Sequence, residues 1–159
     1  MSITLHIRLG ERDSTYVADG VQYVVPVGVG TLASMLATDP PLPEDLTNAI
    51  GLLVDHIADD VTREVPAADL ADTVEISGPG VATVVAVEVG GEATLPFTLE
   101  RGAAEDVFRT LVTEPLADRV RNPGLPASEA TSVLGVCCAV VAVLRALQLR
   151  EVVVVQGHS

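Results

Sequence analysis

The chain opens with apolar and polar side chains in strict alternation, the two-residue period of half-buried strands. Every second residue from Ile3 to Leu9 is apolar, and a turn signal follows at Gly10–Ser14. The pair Asp19-Gly20 is a strong signal for a two-residue hairpin. This pattern predicts an antiparallel meander of three strands, which cover Ile3–Leu9, Thr15–Ala18 and Val21–Val27.

The pattern then changes to a helical period. Thr31–Ala37 predicts a short helix, and Pro43 opens the next one. Proline suits the first helical turn, and the carboxylates of Glu44 and Asp45 favour the positive end of the helix dipole. The apolar stripe of this second helix comprises Leu46, Ile50, Leu53, Val54, Ile57 and Val61.

The remainder of the chain alternates single strands with helices, which implies parallel pairing and an α/β sandwich. The predicted strands are Thr73–Ser77, Thr94–Thr98 and Glu151–Val155. The predicted helices are Val81–Val89, Leu99–Thr113, Pro115–Arg121 and one that runs from an N-cap at Ser128 to Gln148. This last helix is apolar nearly all round, so we expect it to be buried on the sheet or at an interface.

Composition limits the classes of partner. The 159 residues form one predicted domain, 1–159, with a net charge of −13, and all nine basic residues are arginine. Nucleic acids and anionic membranes are bound through clustered Lys and Arg, and no such cluster occurs. We therefore expect no nucleic-acid and no membrane partner.

Targeting signals and cysteines point to a cytoplasmic protein. The first ten residues alternate in polarity, unlike a signal peptide. The longest charge-free apolar run, Val133–Leu144, is far shorter than the roughly 20 residues of a membrane span. The two cysteines, Cys137 and Cys138, lie inside that run. We interpret them as buried structural thiols, with a redox or metal role as the alternative.

One glycine-rich loop is the main candidate for ligand binding. Gly78-Pro79-Gly80 follows a predicted strand and precedes a helix, where free backbone amides can hold an anion. The candidate residues are Gly78, Gly80, Val81, Ala82 and Thr83. Pro79 has no N–H, and no basic residue follows until Arg101. A simple tight strand-to-helix turn is the alternative.

The other candidate chemistry involves the histidines and their neighbouring carboxylates. Helical spacing places His56 beside Asp59 and Asp60, and Asp55 adjoins it, which could hold a divalent cation through oxygen ligands. A solvated helix face is the alternative, and we predict no metal site. His6 and His158 have no nucleophile or carboxylate partner in an evident motif, and no GxSxG elbow occurs. We predict no catalytic residue.

Three segments resemble the exopolyphosphatase/guanosine-pentaphosphate phosphohydrolase (Ppx/GppA) family. Val24–Leu32 (VVPVGVGTL) resembles its "SLPLGAVRL", and Ile76–Ala86 (ISGPGVATVVA) resembles its "vGGTATTLA". Gly124–Val143 resembles its "GLP..RAD" turn and the helix that follows. The resemblance implies the second of two actin-like ATPase lobes, each of ribonuclease-H-like topology.

Several polar positions depart from the family pattern. Thr31 stands at the arginine of "GAVRL", and Pro79-Gly80-Val81 stands at "GGT". Glu129 and Thr131 stand at the arginine and aspartate of "RAD". The "GLReG" ending has no clear counterpart, and the phosphate-cradling "DIGGGS" loop is absent.

The resemblance implies hydrolysis of polyphosphate or guanosine pentaphosphate as the family activity. Because the phosphate loops and the first lobe have no counterpart, we expect the chain alone to be inactive. No cofactor is then expected, and Mg²⁺ only if a phosphate-binding lobe completes the site. The competing hypothesis is a non-catalytic binding or dimerisation module. The expected partner is a missing N-terminal lobe or a second copy bound through part of Val133–Leu147 or an edge strand.

Overall fold

A computed structural model describes residues 2–157, which leaves His158 outside the described range. Six strands form one sheet in the order β3-β2-β1-β4-β6-β5. Their bounds are Thr4–Leu9 (β1), Ser14–Ala18 (β2), Val21–Val25 (β3), Thr73–Ser77 (β4), Phe97–Glu100 (β5) and Glu151–Val154 (β6).

The pairing follows the predicted order. β1, β2 and β3 form the antiparallel meander, and the turn between β2 and β3 has positive φ at both Asp19 and Gly20, as a tight hairpin requires. β1 pairs with β4 and β4 with β6 in parallel, so the predicted α/β class is confirmed. β5 is antiparallel to β6 at the edge of the sheet.

Helices and turns connect the strands. The α-helices are Val29–Ala33 (α1), Pro43–His56 (α2), Thr62–Glu64 (α3), Val81–Val89 (α4), Arg101–Thr113 (α5), Leu116–Arg119 (α6) and Val133–Ala146 (α7). A π-helical turn, Ile57–Val61, joins α2 to α3, and Pro66–Leu70 and Ala127–Glu129 are 3₁₀ turns. No helix within residues 2–157 has the length and apolarity needed to cross a membrane.

Two assignments predicted from the sequence are wrong, and α1 also begins and ends earlier than the predicted Thr31–Ala37. Leu99 belongs to β5 and not to a helix, because it is fully buried opposite Val152 in the β5–β6 pair. Ser128 is not the N-cap of α7, since it lies in the 3₁₀ turn and the helix begins after Ser132. A short 3₁₀ turn before a helix leaves no distinct periodicity in the sequence.

The long apolar helix α7 lies inside the chain. Every residue from Val133 to Leu144 is buried, and α1, α2, α4 and α5 all pack against it. The predicted burial of this helix is confirmed, and Val133–Leu144 cannot form the predicted dimer surface because these residues have no side-chain surface left for a partner. The rest of that predicted surface, Arg145–Leu147 or an edge strand, stays a prediction. The helices around α7 cover the surface for which the sequence predicted a partner molecule.

The two faces of the sheet differ. On one face the side chains of Leu5, Ile7, Val74, Ile76 and Val152 are buried under the helices. The side chains that alternate with them point to the other face, where they are half-buried or exposed. We call this second surface the open face.

Candidate functional site

The Gly78–Gly80 loop lies at the carboxyl end of β4, beside the carboxyl end of β1. Gly78 has φ +135° and its Cα lies so close to the Leu9 carbonyl oxygen that a Cβ would overlap it. Gly80 has φ +85°, and a Cβ there would come within 2.9 Å of Val136 Cγ2. Both positions therefore require glycine for conformation and for space.

Two further turns adjoin this edge of the sheet. The turn after β1 and the start of α1 are in backbone contact: Val29 N–H donates to the Gly10 carbonyl at 2.8 Å, and Gly30 N–H donates to the Glu11 carbonyl at 2.8 Å. These first amides of α1 are consequently used by the chain itself. The sequence predicted both the Gly78–Gly80 loop and the turn at Gly10–Ser14, but it did not reveal that this turn contacts the start of α1.

The amides of the candidate loop divide into two groups. Val81 N–H donates to the Gly78 carbonyl at 3.3 Å, and Thr83 N–H donates to the Gly80 carbonyl at 3.0 Å. The amides of Gly80 and Ala82 make no hydrogen bond to any group of residues 2–157. Of the five candidate residues, Gly80 and Ala82 thus keep N–H groups that are available to a ligand.

A carboxylate of the chain lies at this helix N-terminus. The Thr83 hydroxyl in the first turn of α4 donates to Glu129 Oε1 at 2.7 Å. Glu129 is part of the 3₁₀ turn before α7 and is half-buried. Residue 129 is the position at which the resemblance placed an arginine, so the local charge is reversed. A negative side chain near a helix N-terminus is favourable for the helix and unfavourable for a second anion.

A cavity of about 240 Å³ lies between the loop, α1 and α7. The acidic side chains that line it are Glu11 and Glu129, and no Arg or Lys is among its lining residues. Within residues 2–157, no three His, Cys, Asp or Glu side chains come close enough together to hold a metal ion.

The other positions that depart from the family pattern serve the fold. Thr31 Oγ1 accepts a hydrogen bond from Gly28 N–H at 3.0 Å and so closes the start of α1. Thr131 is exposed beside the pocket that contains Arg119. Neither side chain reaches the Gly78–Gly80 cavity.

The histidine and aspartate group spans the end of α2 and the π-helical turn, and its side chains contact one another. His56 Nδ1 lies 3.1 Å from Asp60 Oδ2, and Arg63 Nη2 lies 3.2 Å from Asp60 Oδ1. Asp55 and Asp59 are exposed. This arrangement is a partly solvated helix face.

His6 has a partner that the sequence did not reveal. Its Nδ1 lies 3.1 Å from Glu75 Oε1, across the parallel β1–β4 pair on the open face. The two residues are far apart in the sequence, and only the register of the two strands brings them together. Only a prediction that β1 pairs with β4 in this register could have placed Glu75 beside His6.

Both cysteines are buried and unpaired with each other. Burial raises the pKa of the Cys138 thiol to about 12, and it raises the pKa of Cys137 further still. A thiol that stays protonated is a poor nucleophile and a poor metal ligand. The geometry is that of structural thiols.

Solved structures of Ppx/GppA phosphatases and exopolyphosphatases share this fold. A Ppx/GppA enzyme of Aquifex aeolicus superimposes with a TM-score of 0.80 at 18% identity, over 98% of this chain and 54% of that one. An exopolyphosphatase-like protein gives 0.86 at 19% identity, over 98% and 55%. The chain has the fold of one half of a Ppx/GppA phosphatase. The predicted ribonuclease-H-like lobe is thereby confirmed.

The likeness is structural and partial. An exopolyphosphatase from Cytophaga hutchinsonii matches with a TM-score of 0.71 at 14% identity, over 98% of this chain and 53% of that one. The chain thus spans about half the length of the Ppx/GppA structures that it matches. Its sequence matches no protein-family model and has no significant match among curated proteins.

Proposed function

We propose that the chain is a Ppx/GppA-like second lobe that does not hydrolyse polyphosphate or guanosine pentaphosphate by itself. The Thr83–Glu129 hydrogen bond carries this proposal. It places a carboxylate beside the helix N-terminus at which a phosphate-binding lobe needs a positive or neutral environment.

The charges around the loop support the same proposal. Phosphoryl transfer depends on positioning and on neutralisation of the phosphate charge by amides, Arg, Lys and Mg²⁺. The cavity beside the loop presents Glu11 and Glu129 instead. The net charge of −13 adds a long-range repulsion of polyanions. The first lobe of the family, with its own phosphate loop, would be needed for catalysis.

A phosphate-release assay tests the proposal directly. The chain would be incubated with Mg²⁺ and either polyphosphate or guanosine pentaphosphate, and free phosphate would be measured over time. We expect no release above the rate without protein. Sustained turnover that follows protein concentration, and persists after a further purification step, would contradict the proposal.

The loop of Gly78, Gly80, Val81, Ala82 and Thr83 is proposed as a weak anion site. The free amides of Gly80 and Ala82 would bind the anion. Amide NMR shifts during a phosphate titration would locate it. Glu129→Gln keeps the side-chain size and removes the charge, so we expect it to tighten phosphate binding several-fold. Equal binding by both forms would show that Glu129 does not control this loop.

A binding or dimerisation module is the second candidate function. The edge strand β3 supports it, because Val21 and Val24 are 43% and 44% exposed and one side of the strand has no neighbour in the sheet. Unpaired edge strands are templates for pairing with another chain. Sedimentation at tens of micromolar should give a homodimer, which Val24→Lys should dissociate. A monomeric wild-type chain would oppose this candidate.

The proposed location is the cytoplasm. Two free thiols without a disulfide within residues 2–157 suit a reducing compartment.

A further inference from the structure

A groove of about 650 Å³ lies on the open face, across the centre of the sheet. β1 forms its floor. β2 and β3 form one side, and β4 and the residues after β6 form the other side. The groove is separate from the Gly78–Gly80 cavity, since the two share no lining residue.

Three polar side chains form one row across this groove. Arg8 on β1 is the register partner of Thr15 on β2 and of Ser77 on β4. Register partners lie on the same face, about 4.8 Å apart along the row. Arg8 is therefore flanked in the register by a hydroxyl residue on each side. Its Nη1 extends towards the Gly10–Asp13 turn, where it lies 3.1 Å and Asp13 Oδ1 lies 3.2 Å from the place that a Cβ of Gly10 would occupy.

None of these three side chains is used inside the described part of the chain. Neither Arg8, Thr15 nor Ser77 forms a side-chain hydrogen bond or ion pair within residues 2–157. Arg8 keeps five N–H donors in a planar fork that matches a carboxylate in two-point fashion. The hydroxyls on either side can donate to the same anion.

The neighbouring row limits the charge of a ligand. It contains Glu75, whose carboxylate lies 3.1 Å from His6 Nδ1 and whose side chain is 33% exposed. This row lies two residues along the strands, about 6.6 Å from the Arg8 row. Glu75 repels a second negative charge at that distance, so a monoanion fits the groove better than a polyanion.

Apolar side chains complete the groove. Val17 lies in the His6 row, Val155 lies beside Ser77, and both are half-buried. Pockets of this kind combine an apolar lining with a few polar groups that fix orientation. We propose that the groove binds a small organic carboxylate, with the carboxylate on Arg8, Thr15 and Ser77 and the apolar body against Val17 and Val155.

Hexanoate is the probe for this proposal. It would be titrated into ¹⁵N-labelled protein, with hexanol as the control of equal chain length without charge. We expect saturable amide shifts centred on Arg8, Thr15 and Ser77 for hexanoate and weak, non-saturable shifts for hexanol. The expected loss of affinity in Arg8→Met is about tenfold or more, the weight of one charge-assisted hydrogen-bond pair.

Arg12→Met is the matched control. Arg12 is also exposed and has no ion pair within the described residues, but it does not line the groove. Its variant should bind hexanoate like the wild type. The double variant Thr15→Val/Ser77→Ala keeps Arg8 and should bind several-fold more weakly, which tests the site even if Arg8→Met is unstable.

Three results would overturn the proposal. Equal affinities for hexanol and hexanoate contradict it, because they would show that the charge does not contribute to binding. Unchanged binding by both groove variants also contradicts it. Shifts centred on Gly80–Thr83 would assign the anion to the loop and leave the groove without a ligand.

Discussion

Arg119 and Asp39 form an ion pair in which only one partner is in contact with solvent. Arg119 Nη2 lies 2.8 Å from Asp39 Oδ1, and the side chain of Arg119 is 1% exposed while that of Asp39 is 50% exposed. The guanidinium donates its other hydrogen bonds to backbone carbonyls, those of Leu111, Glu114 and Ala130. One arginine therefore joins the end of α5, the turn before α7 and the loop before α2.

Substitution of Arg119 should be strongly destabilising. Arg119→Met leaves three carbonyls without this donor and Asp39 with only the Leu116 amide, and we expect a loss of about 3–5 kcal/mol in the free energy of unfolding. Urea denaturation measures it. Arg121→Met is the control, because Arg121 is exposed and has no ion pair among the described residues. Similar midpoints for the two variants would contradict the structural role of Arg119.

The ionised side chain of Asp39 should stabilise the folded protein, and acid should remove this stabilisation. The Leu116 amide, and after it Arg119, hold the pKa of this carboxyl below its usual value. A carboxyl with a lowered pKa in the folded state stabilises it above the unfolded pKa of about 4, and this contribution is lost as the pH falls. Asp39→Asn should therefore lower stability at pH 7 and flatten its fall below pH 4. An unchanged acid limb would refute the assignment.

Gly78 should not tolerate a side chain. Gly78→Ala places a Cβ against the Leu9 carbonyl at φ +135°, and we expect a loss of about 3 kcal/mol or failure to fold. Gly51→Ala is the matched change in α2, where an added methyl group meets no heavy atom within 4 Å. It should raise stability by about 0.5–1 kcal/mol. Thermal unfolding of both variants distinguishes the positions.

The protein should lose stability at high pH. Burial raises the pKa of Tyr16 to about 12, although its hydroxyl lies 2.9 Å from Ser14 Oγ. A raised pKa gives stability that is present below the unfolded pKa of about 10 and is lost as the pH rises towards 12. Tyr16→Phe should reduce this loss between pH 10 and 12. An identical alkaline limb would show that Tyr16 ionises without unfolding.

The buried thiols should react only after unfolding. Cys137 and Cys138 are 2% and 0% exposed, so we expect no labelling by an aromatic disulfide reagent in the native protein. Both should react in guanidinium chloride. Labelling at native conditions with the far-ultraviolet circular dichroism unchanged would contradict their structural role.

Local patterns in the sequence predicted the elements well where they had a clear period. β1 and β4 were placed to within a residue, and α2 began at Pro43, because alternation and helix-start chemistry are local signals. Leu99 was assigned to a helix, since a single buried leucine at a strand-to-helix junction has no period of its own.

The chemistry of the site was less predictable because it depends on distant pairs. Thr83 and Glu129 are 46 residues apart, and Arg119 and Asp39 are 80 apart. No spacing rule joins such residues before the topology is known. The resemblance to a known family did place Glu129 at the position of an arginine in the family motif. Its hydrogen bond to Thr83 could be seen only in the structure.

The position of β6 in the sheet has a consequence for synthesis on the ribosome. β6 follows β5 in the sequence yet lies between β4 and β5, so β5 cannot join the sheet until Glu151–Val154 have been made. Until then β4 presents an unpaired edge, the kind of edge that can pair with another chain. The sheet therefore closes only after β6 has left the ribosome.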